Sequence, residues 1–304
     1  MLTKQKLRTC ISYVFSRVPD FRGKIRVTYA LNRLILPHSG LDCIIPIEMK
    51  LGYRMMVDLR SVTESLTAYT RDYDTEEISS CLRLLHANSV VLDVGANVGF
   101  WTVPMALGLG AEGRVHAFEP LPSNATRLRE NVSLNGMEHV VRVHEIGLSD
   151  QPATLEISLR EDFARGSQTG NAAIVIDKND RKFECTAIQV DTLDRVLDLL
   201  DIQRLDLVKI DIEGHEDKFL AGARSAISRF RPILFIEINE PYYKRRRIDV
   251  DGLFESWLHT FQYVCALRSD HGWNIGELRS RKPALDNLLF LPGERVSEIY
   301  PLLT

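Results

Sequence analysis

The chain lacks most of the features that place a sequence at sight. Only five of its 304 residues are cysteine (Cys10, Cys43, Cys81, Cys185, Cys265), far apart and without a C-x-x-C pair. Such spacing suits neither a zinc site nor a disulfide-stapled secreted scaffold, and it favours a reducing compartment. No uninterrupted apolar run approaches the ~18–20 residues that span a bilayer. A signal peptide fits poorly, because Arg17, Asp20, Arg22 and Lys24 stand where an apolar stretch should lead to a small-residue cleavage site. The expectation is a cytoplasmic protein. Global positive charge is missing too: the net charge is −3, so nucleic acid is not expected as a partner. Internal repeats and low-complexity tracts are absent.

What remains is an ordinary globular mixture, 45% apolar and 26% charged, long enough to bury a large core. The charge is unevenly placed. Residues 1–34 hold eight Lys or Arg against Asp20 alone, which makes that segment +7 and the remainder −10. Within it Leu7, Ile11, Val14, Phe15 and Val18 share one helical face, and Val27, Leu31, Leu34 and Ile35 share another. A basic amphipathic segment of this kind either lies on an anionic membrane surface or packs on its own domain and shows its charges to water. Peripheral membrane contact through residues 1–36 therefore stays open.

Residues 43–59 alternate as a hairpin, with Pro46 restricting the first arm to an edge. Ser61 with Glu64, and Asp74 with Glu77, have the spacing of capping boxes. From residue 89 short apolar runs at 90–94, 115–118, 140–146, 205–212, 233–238, 262–267 and 287–291 are mostly separated by helical stretches, roughly 98–109, 122–135, 191–200, 216–229 and 251–260. That alternation predicts a mainly parallel sheet covered on both faces. The last two runs have no helix between them, so the final strand should be antiparallel. Residues 151–190 carry extra strand-like pieces and a polar R-G-S-Q-T-G-N stretch, read as an insertion.

The strongest local signal is V-V-L-D-V-G-A-N-V-G-F at 90–100. A strand ends near Asp93, and Gly95 and Gly99 allow a tight turn into a helix. This is the generic cradle of nucleotide-cofactor folds. The sign of the charge separates the candidates. A dinucleotide would bring a diphosphate to the helix N-terminus, where Asp93 would repel it. At ~4 Å and an effective dielectric of ~20 such a like-charge pair costs about 4 kcal/mol. A sulfonium donor with an ammonium group turns the same carboxylate into an attraction. Further acids follow at the ends of successive runs: Glu119 before Pro120, placed to hold a ribose diol; Asp150 after Leu148, placed to meet an adenine; and Asp211, Glu213 and Glu216 around Gly214 and His215.

These residues resemble a known family. D-V-G-A-N-V-G, A-F-E-P, N-V-S-L-N-G at 131–136, V-D-T-L-D at 190–194 and K-I-D-I-E-G-H-E followed by L-A-G-A occur in the order found in FkbM-type methyltransferases, from about residue 50 to 292. The resemblance implies a three-layer α/β fold of the class I, Rossmann-like type, with seven mainly parallel strands and an antiparallel last one. Taken with the patterning above, the expected organisation is a methyltransferase domain over 61–304 with the insertion at about 151–190, preceded by a basic helical and hairpin extension over 1–60 whose first 36 residues lie outside the resemblance. The resemblance also implies S-adenosyl-L-methionine as donor and O-methylation of a sugar, glycan or other small molecule. Asp93, Gly95, Asn97 and Glu119 take the family's donor-binding positions, with Gly99, Leu148 and Asp150 beside them. Asp211, Glu213 and His215 match its acceptor-facing motif.

An alcohol acceptor gains from a general base. Asp211, His215 and Glu237 are the candidates, with Asp211 positioning donor and acceptor and His215 the favoured base. Lys244, in the K-R-R-R run, and Trp273, beside His271 and Gly272, are candidate acceptor contacts, against a solvated face and an ordinary loop respectively. No metal is expected, because consecutive residues at one strand-to-helix turn rarely converge on an ion. Pro104 falls inside the expected 98–109 helix and should kink it unless the helix begins later. A nicotinamide oxidoreductase and a non-catalytic donor-binding or membrane-docking protein are the competing classes. The oligomeric state is left open.

Overall fold

The computed structural model describes residues 4–19, 23–24, 26–27, 30, 43–160, 163, 167, 169–269, 272–280 and 285–303. Leu31, Leu34, Ile35, Gln168 and His271 lie outside the described residues. The strands in chain order are β1 (Ile44–Glu48), β2 (Arg54–Asp58), β3 (Val90–Val94), β4 (Arg114–Phe118), β5 (Val141–His144), β6 (Gly147–Leu148) and β7 (Ala153–Leu159). They continue as β8 (Ala172–Ile174), β9 (Cys185–Asp191), β10 (Leu207–Ile210), β11 (Ile233–Asn239), β12 (Tyr263–Ser269), β13 (Gly272–Ile275) and β14 (Leu285–Pro292).

The central sheet runs β13-β12-β14-β11-β10-β3-β4-β5. Its middle strands pair in parallel, with Lys209 opposite both Asp93 and Phe235. They are buried on both faces: every residue of L-V-K-I in β10 is buried, as expected for parallel strands wrapped by crossover helices. Val91, Val115 and Phe235 feed the core on one side, and Leu92, Val208 and Leu234 feed the other. The last strand is antiparallel, yet it is no edge addition. β14 inserts between β11 and β12, and the short β13 folds back on β12 to form the edge, which makes eight strands where seven were expected.

The helix after the glycine turn begins at Thr102, four residues later than its apolar pattern indicates. Positive φ at Gly95, Asn97 and Gly99 keeps 95–101 non-helical. Pro104 therefore sits in the first helical turn, where no intrahelical acceptor waits for its missing N–H, and the expected kink is not needed. The two capping boxes also divert. Ser61 Oγ does accept from the Glu64 N–H, at 3.3 Å. The Glu64 carboxylate instead accepts from the Asp58 N–H at 2.7 Å and the Thr169 hydroxyl at 2.6 Å. Asp74 adopts a left-handed φ of 45° and makes no cap; its carboxylate accepts from Trp101 Nε1 at 2.9 Å.

The hairpin β1–β2 and the helix Val62–Thr70 pack on the flank of the sheet, where Asn131 accepts the Met56 N–H and Arg127 donates to the Met56 carbonyl. The first helix, Lys4–Ser16, lies against Val62–Thr70 through Ile11, Arg8, Ser12 and Phe15. It is rotated away from the face its hydropathy marks, so Leu7 and Val14 are exposed. Residues 147–191 form a second sheet, β6-β9-β7-β8. Its inner side chains Ile157, Ile188 and Val190 pack with Leu121 over the carboxyl end of β4.

Candidate active site

Backbone hydrogen bonds tie the glycine turn to the neighbouring strands. The N–H groups of Gly95 and Ala96 both donate to the Phe118 carbonyl at 3.0 Å, and Asp211 N donates to the Val94 carbonyl at 3.1 Å. Gly95 has φ 78°, and a Cβ there would lie 1.9 Å from the Asp211 carbonyl oxygen. Glycine is required because β3 and β10 close up at this point. Gly99, with φ 100°, faces Leu128 instead, so it serves the packing of the following helices.

A cavity of about 770 Å³, its open mouth included, lies at the carboxyl ends of β3, β4 and β10 beneath the second sheet. Its walls include Gly95, Asn97, Glu119, Leu148, Asp211, Glu213 and His215, with Ile157, Ile174, Ile188 and Val190 supplying the apolar side. Three carboxylates line it, and no lysine or arginine does among the described residues. Glu119 is fixed from three directions: it accepts from Asn97 N at 2.8 Å, Leu121 N at 3.0 Å and Asn124 Nδ2 at 3.4 Å. Burial pushes its carboxyl up to about 7 in spite of these bonds. Asn171, from the second sheet, reaches across the cavity: it accepts from Asn97 Nδ2 and donates to Glu213, each at 3.2 Å.

Beyond β10 the D-I-E-G-H-E residues part company. Glu216 turns back to accept from Ile212 N, Gly214 N and the Tyr243 hydroxyl, so its role is to hold the turn. Glu213 takes a left-handed φ of 55° and points into the cavity, where it also accepts from Asn239 Nδ2 at 3.1 Å. Burial raises its pKa, and Asp211 adds to the rise. His215 lines the cavity with Nε2 2.9 Å from Ser149 Oγ. Burial lowers it to about 4, so it is neutral near pH 7, and its charged neighbours are Asp217, Arg246, Asp150 and Lys218.

Glu237 has different company. Asp211, Lys209, Glu213 and Asp74 act on it, and the Asp211 charge, followed by burial, holds its pKa well above the carboxylate range. Asp211 and Glu237 lie on the same face of neighbouring strands, since Lys209 and Phe235 are register partners two residues earlier. The three candidate catalytic residues thus divide into an Asp211–Glu237 pair and a separate His215.

Lys209, assigned no role from the sequence, proves central. Nearly fully buried, its Nζ donates to the Gly95 carbonyl at 3.2 Å and to Asp211 at 3.3 Å, and lies 3.6 Å from Asp93. Burial opposes its charge, but Asp211, Asp93 and Glu237 outweigh that and raise its pKa. A lysine inside an apolar strand is itself a signal. Asn124, Asn171 and Asp74 had no comparable signature, because what brings them to the site is the packing of distant segments.

Several expected contacts stand elsewhere. Asp93 does not reach the cavity; it is buried beneath the turn, bonded to the Thr102 hydroxyl at 2.6 Å. The negative charge expected of it comes from Glu119, Asp211 and Glu213. Asp150 pairs with Lys218 at 2.8 Å outside the cavity wall; burial opposes ionisation, but Lys218 lowers its pKa. Lys244 is on the surface, paired with Glu240 at 2.8 Å. Its neighbours Arg245 and Arg246 are bound to Asp180 and Asp217, so this basic run fastens elements together. Trp273 is fully buried against Phe235, a core side chain that no acceptor can stack on.

A parallel-dominated sheet in this strand order, with antiparallel β14 between β11 and β12, a glycine turn after β3 and an acid closing β4, defines the class I, Rossmann-like methyltransferase fold. The chain belongs to the FkbM methyltransferase family: the profile of the methyltransferase FkbM domain matches residues 93–272. It is 29% identical over 187 residues to the AMB antimetabolite synthetase AmbE of Pseudomonas aeruginosa, an alignment covering 52% of this chain and 9% of that one. Methyltransferase sdnD of Sordaria araneosa is 27% identical over 165 residues, 45% of this chain and 61% of its own. A solved FkbM methyltransferase from Methylobacillus flagellatus superposes with a TM-score of 0.45 at 19% identity, covering 74% of this chain and 52% of the other. The chain therefore spans less than two thirds of each of these relatives.

Proposed function

We propose that this chain transfers a methyl group from S-adenosyl-L-methionine to a hydroxyl of a small polyhydroxyl acceptor such as a sugar. The observation that carries the reading is the cavity's charge: among the described residues Glu119, Asp211 and Glu213 line it and no cationic side chain does. A diphosphate there would face three carboxylates, whereas a sulfonium and an ammonium would offset the cost of ionising them. The residues also fit the parts of such a donor. Glu119 keeps lone pairs free for a ribose diol beyond its three bonds. Leu148, Ile174, Ile188 and Val190 offer apolar surface to a base.

The donor supplies an electrophilic methyl group on a good leaving group. What the protein supplies is alignment, water exclusion and a proton acceptor. Asp211, held by Lys209, lines the cavity and orients what enters it. Glu237, beside Asp211 on the next strand but not itself on the cavity wall, is the base of this reading: a carboxylate raised well above its ordinary range binds a hydroxyl proton more strongly. His215, bonded to Ser149 and lowered to about 4, is the weaker base.

Calorimetry with S-adenosylmethionine and with NAD on the same protein tests the donor. Tight binding of NAD and none of the sulfonium would end the proposal. Labelled-methyl transfer to a fractionated extract then finds the acceptor. On that acceptor Glu237→Gln should lower kcat by about 10²–10⁴ with donor affinity unchanged, and an unchanged kcat would remove Glu237 from this role.

A further inference from the structure

The first helix packs on the domain through Ile11 and Phe15 but is rotated off the centre of its apolar face. Toward the domain it presents Arg8, 4% exposed, and Ser12, fully buried, with the Ser12 hydroxyl donating to the Ala68 carbonyl at 2.6 Å and accepting from Arg71 at 3.0 Å. Toward solvent it presents Leu7, Tyr13 and Val14, which are 52%, 50% and 65% exposed. Lys6, Cys10 and Arg17 share that outer arc, and Arg17 lies over the Tyr13 ring at 4.3 Å. An amphipathic helix normally buries its leucine and valine and shows its arginine to water. Burying Arg8 while exposing Leu7 and Val14 leaves an outer apolar arc for an occupant to cover.

The same end of the chain concentrates this kind of surface. Of the ten large apolar side chains exposed among the described residues, Leu7, Tyr13, Val14, Val27 and Leu51 belong to the first 51. Lys50, beside Leu51, lines one groove with Tyr13 and Arg17. The segment is also where the cations are: residues 1–34 carry +7 against −10 for the rest. We propose that the outer face of Lys4–Ser16, extended by the β1–β2 hairpin tip, docks on an anionic phospholipid surface. Leu7, Val14 and Tyr13 enter the interfacial layer, and Lys6 and Arg17 meet the headgroups. Charge complementarity selects the occupant: an anionic bilayer answers both the apolar arc and the cations around it, while the acidic remainder of the chain is held off.

The test uses the full chain and two vesicle populations, phosphatidylcholine alone and phosphatidylcholine with phosphatidylglycerol. The protein should co-sediment with the anionic vesicles in low salt and release in molar salt. Leu7→Glu with Val14→Glu, and separately Arg17→Glu, should each reduce the bound fraction roughly tenfold with melting temperature and donor affinity unchanged. A polarity-sensitive dye on Cys10 should shift to the blue on the anionic vesicles, a readout that needs no folded variant. Equal sedimentation with both populations, or undiminished binding by the variants, overturns the proposal. Self-association in the absence of lipid that the double variant abolishes also overturns it, and assigns the face to a second copy.

Discussion

Glu119 allows a quantitative test of how the cavity recognises its occupant. Its carboxylate accepts three protein hydrogen bonds and sits, by burial, at about 7. If the ionised form holds a ribose diol, affinity for S-adenosylhomocysteine should be flat above about pH 7 and fall toward tenfold per unit below it, or roughly a hundredfold at pH 5. Glu119→Gln keeps the shape but replaces one acceptor oxygen with a donor. Whichever way the amide sits, either the Asn97 or the Leu121 N–H loses its partner. That lost bond costs stability in free and bound protein alike; the affinity falls because the ribose exchanges a hydrogen bond to an ionised acceptor for one to an amide, about 1–2 kcal/mol or roughly 5- to 30-fold at pH 8. Calorimetric titration of both proteins across this pH range reads both effects at once. Glu213, also raised, titrates nearby, so Glu213→Gln serves as the reference from which the Glu119 slope is separated. If Glu119→Gln binds as tightly as the parent at pH 8, or keeps its full pH slope, the ribose assignment is wrong.

Three further outcomes follow from the packing. Gly95→Ala should abolish measurable donor binding, because its Cβ would fall 1.9 Å from the Asp211 carbonyl oxygen; calorimetry beside a thermal melt separates a lost site from a lost fold. Glu64 is buried and raised to about 7, so its contribution to stability is complete below its unfolded pKa and declines as pH rises through the folded value. Glu64→Gln should therefore remove about 3 kcal/mol of the loss between pH 5 and 8, and urea unfolding at both pH values would expose an unchanged slope. Asp150→Asn breaks only a partly exposed pair with Lys218, so donor affinity should change less than about twofold; a large loss would return Asp150 to the cavity.

Legibility differed between elements for definite reasons. The central strands were readable because parallel strands buried on both faces leave continuous apolar runs. The start of the 102–109 helix was not, since the apolar pattern continues through Val98 and Phe100 while positive φ at three residues prevents helix there. The Asp74 cap failed for a tertiary reason: a Trp101 N–H from the glycine-turn segment took the carboxylate that would have capped the helix. Asp93 shows the same limit at the site. Its position in an apolar run is clear, but it pairs in register with Lys209, one pleat back from the cavity-lining Asp211 on the same face, and its carboxylate is taken by the Thr102 hydroxyl beneath the turn.

The amino-acid order by itself determined the sheet, the glycine turn and the anionic character of the strand ends, because each depends on local patterning within a few residues. Which carboxylates reach the cavity was decided only by the folded chain. So was the use of Lys209 to hold Asp211 in the cavity wall and Asp93 beneath it, and so was the outward turn of Leu7 and Val14. These outcomes depend on contacts between segments far apart in sequence, where burial and partner geometry outweigh any local preference.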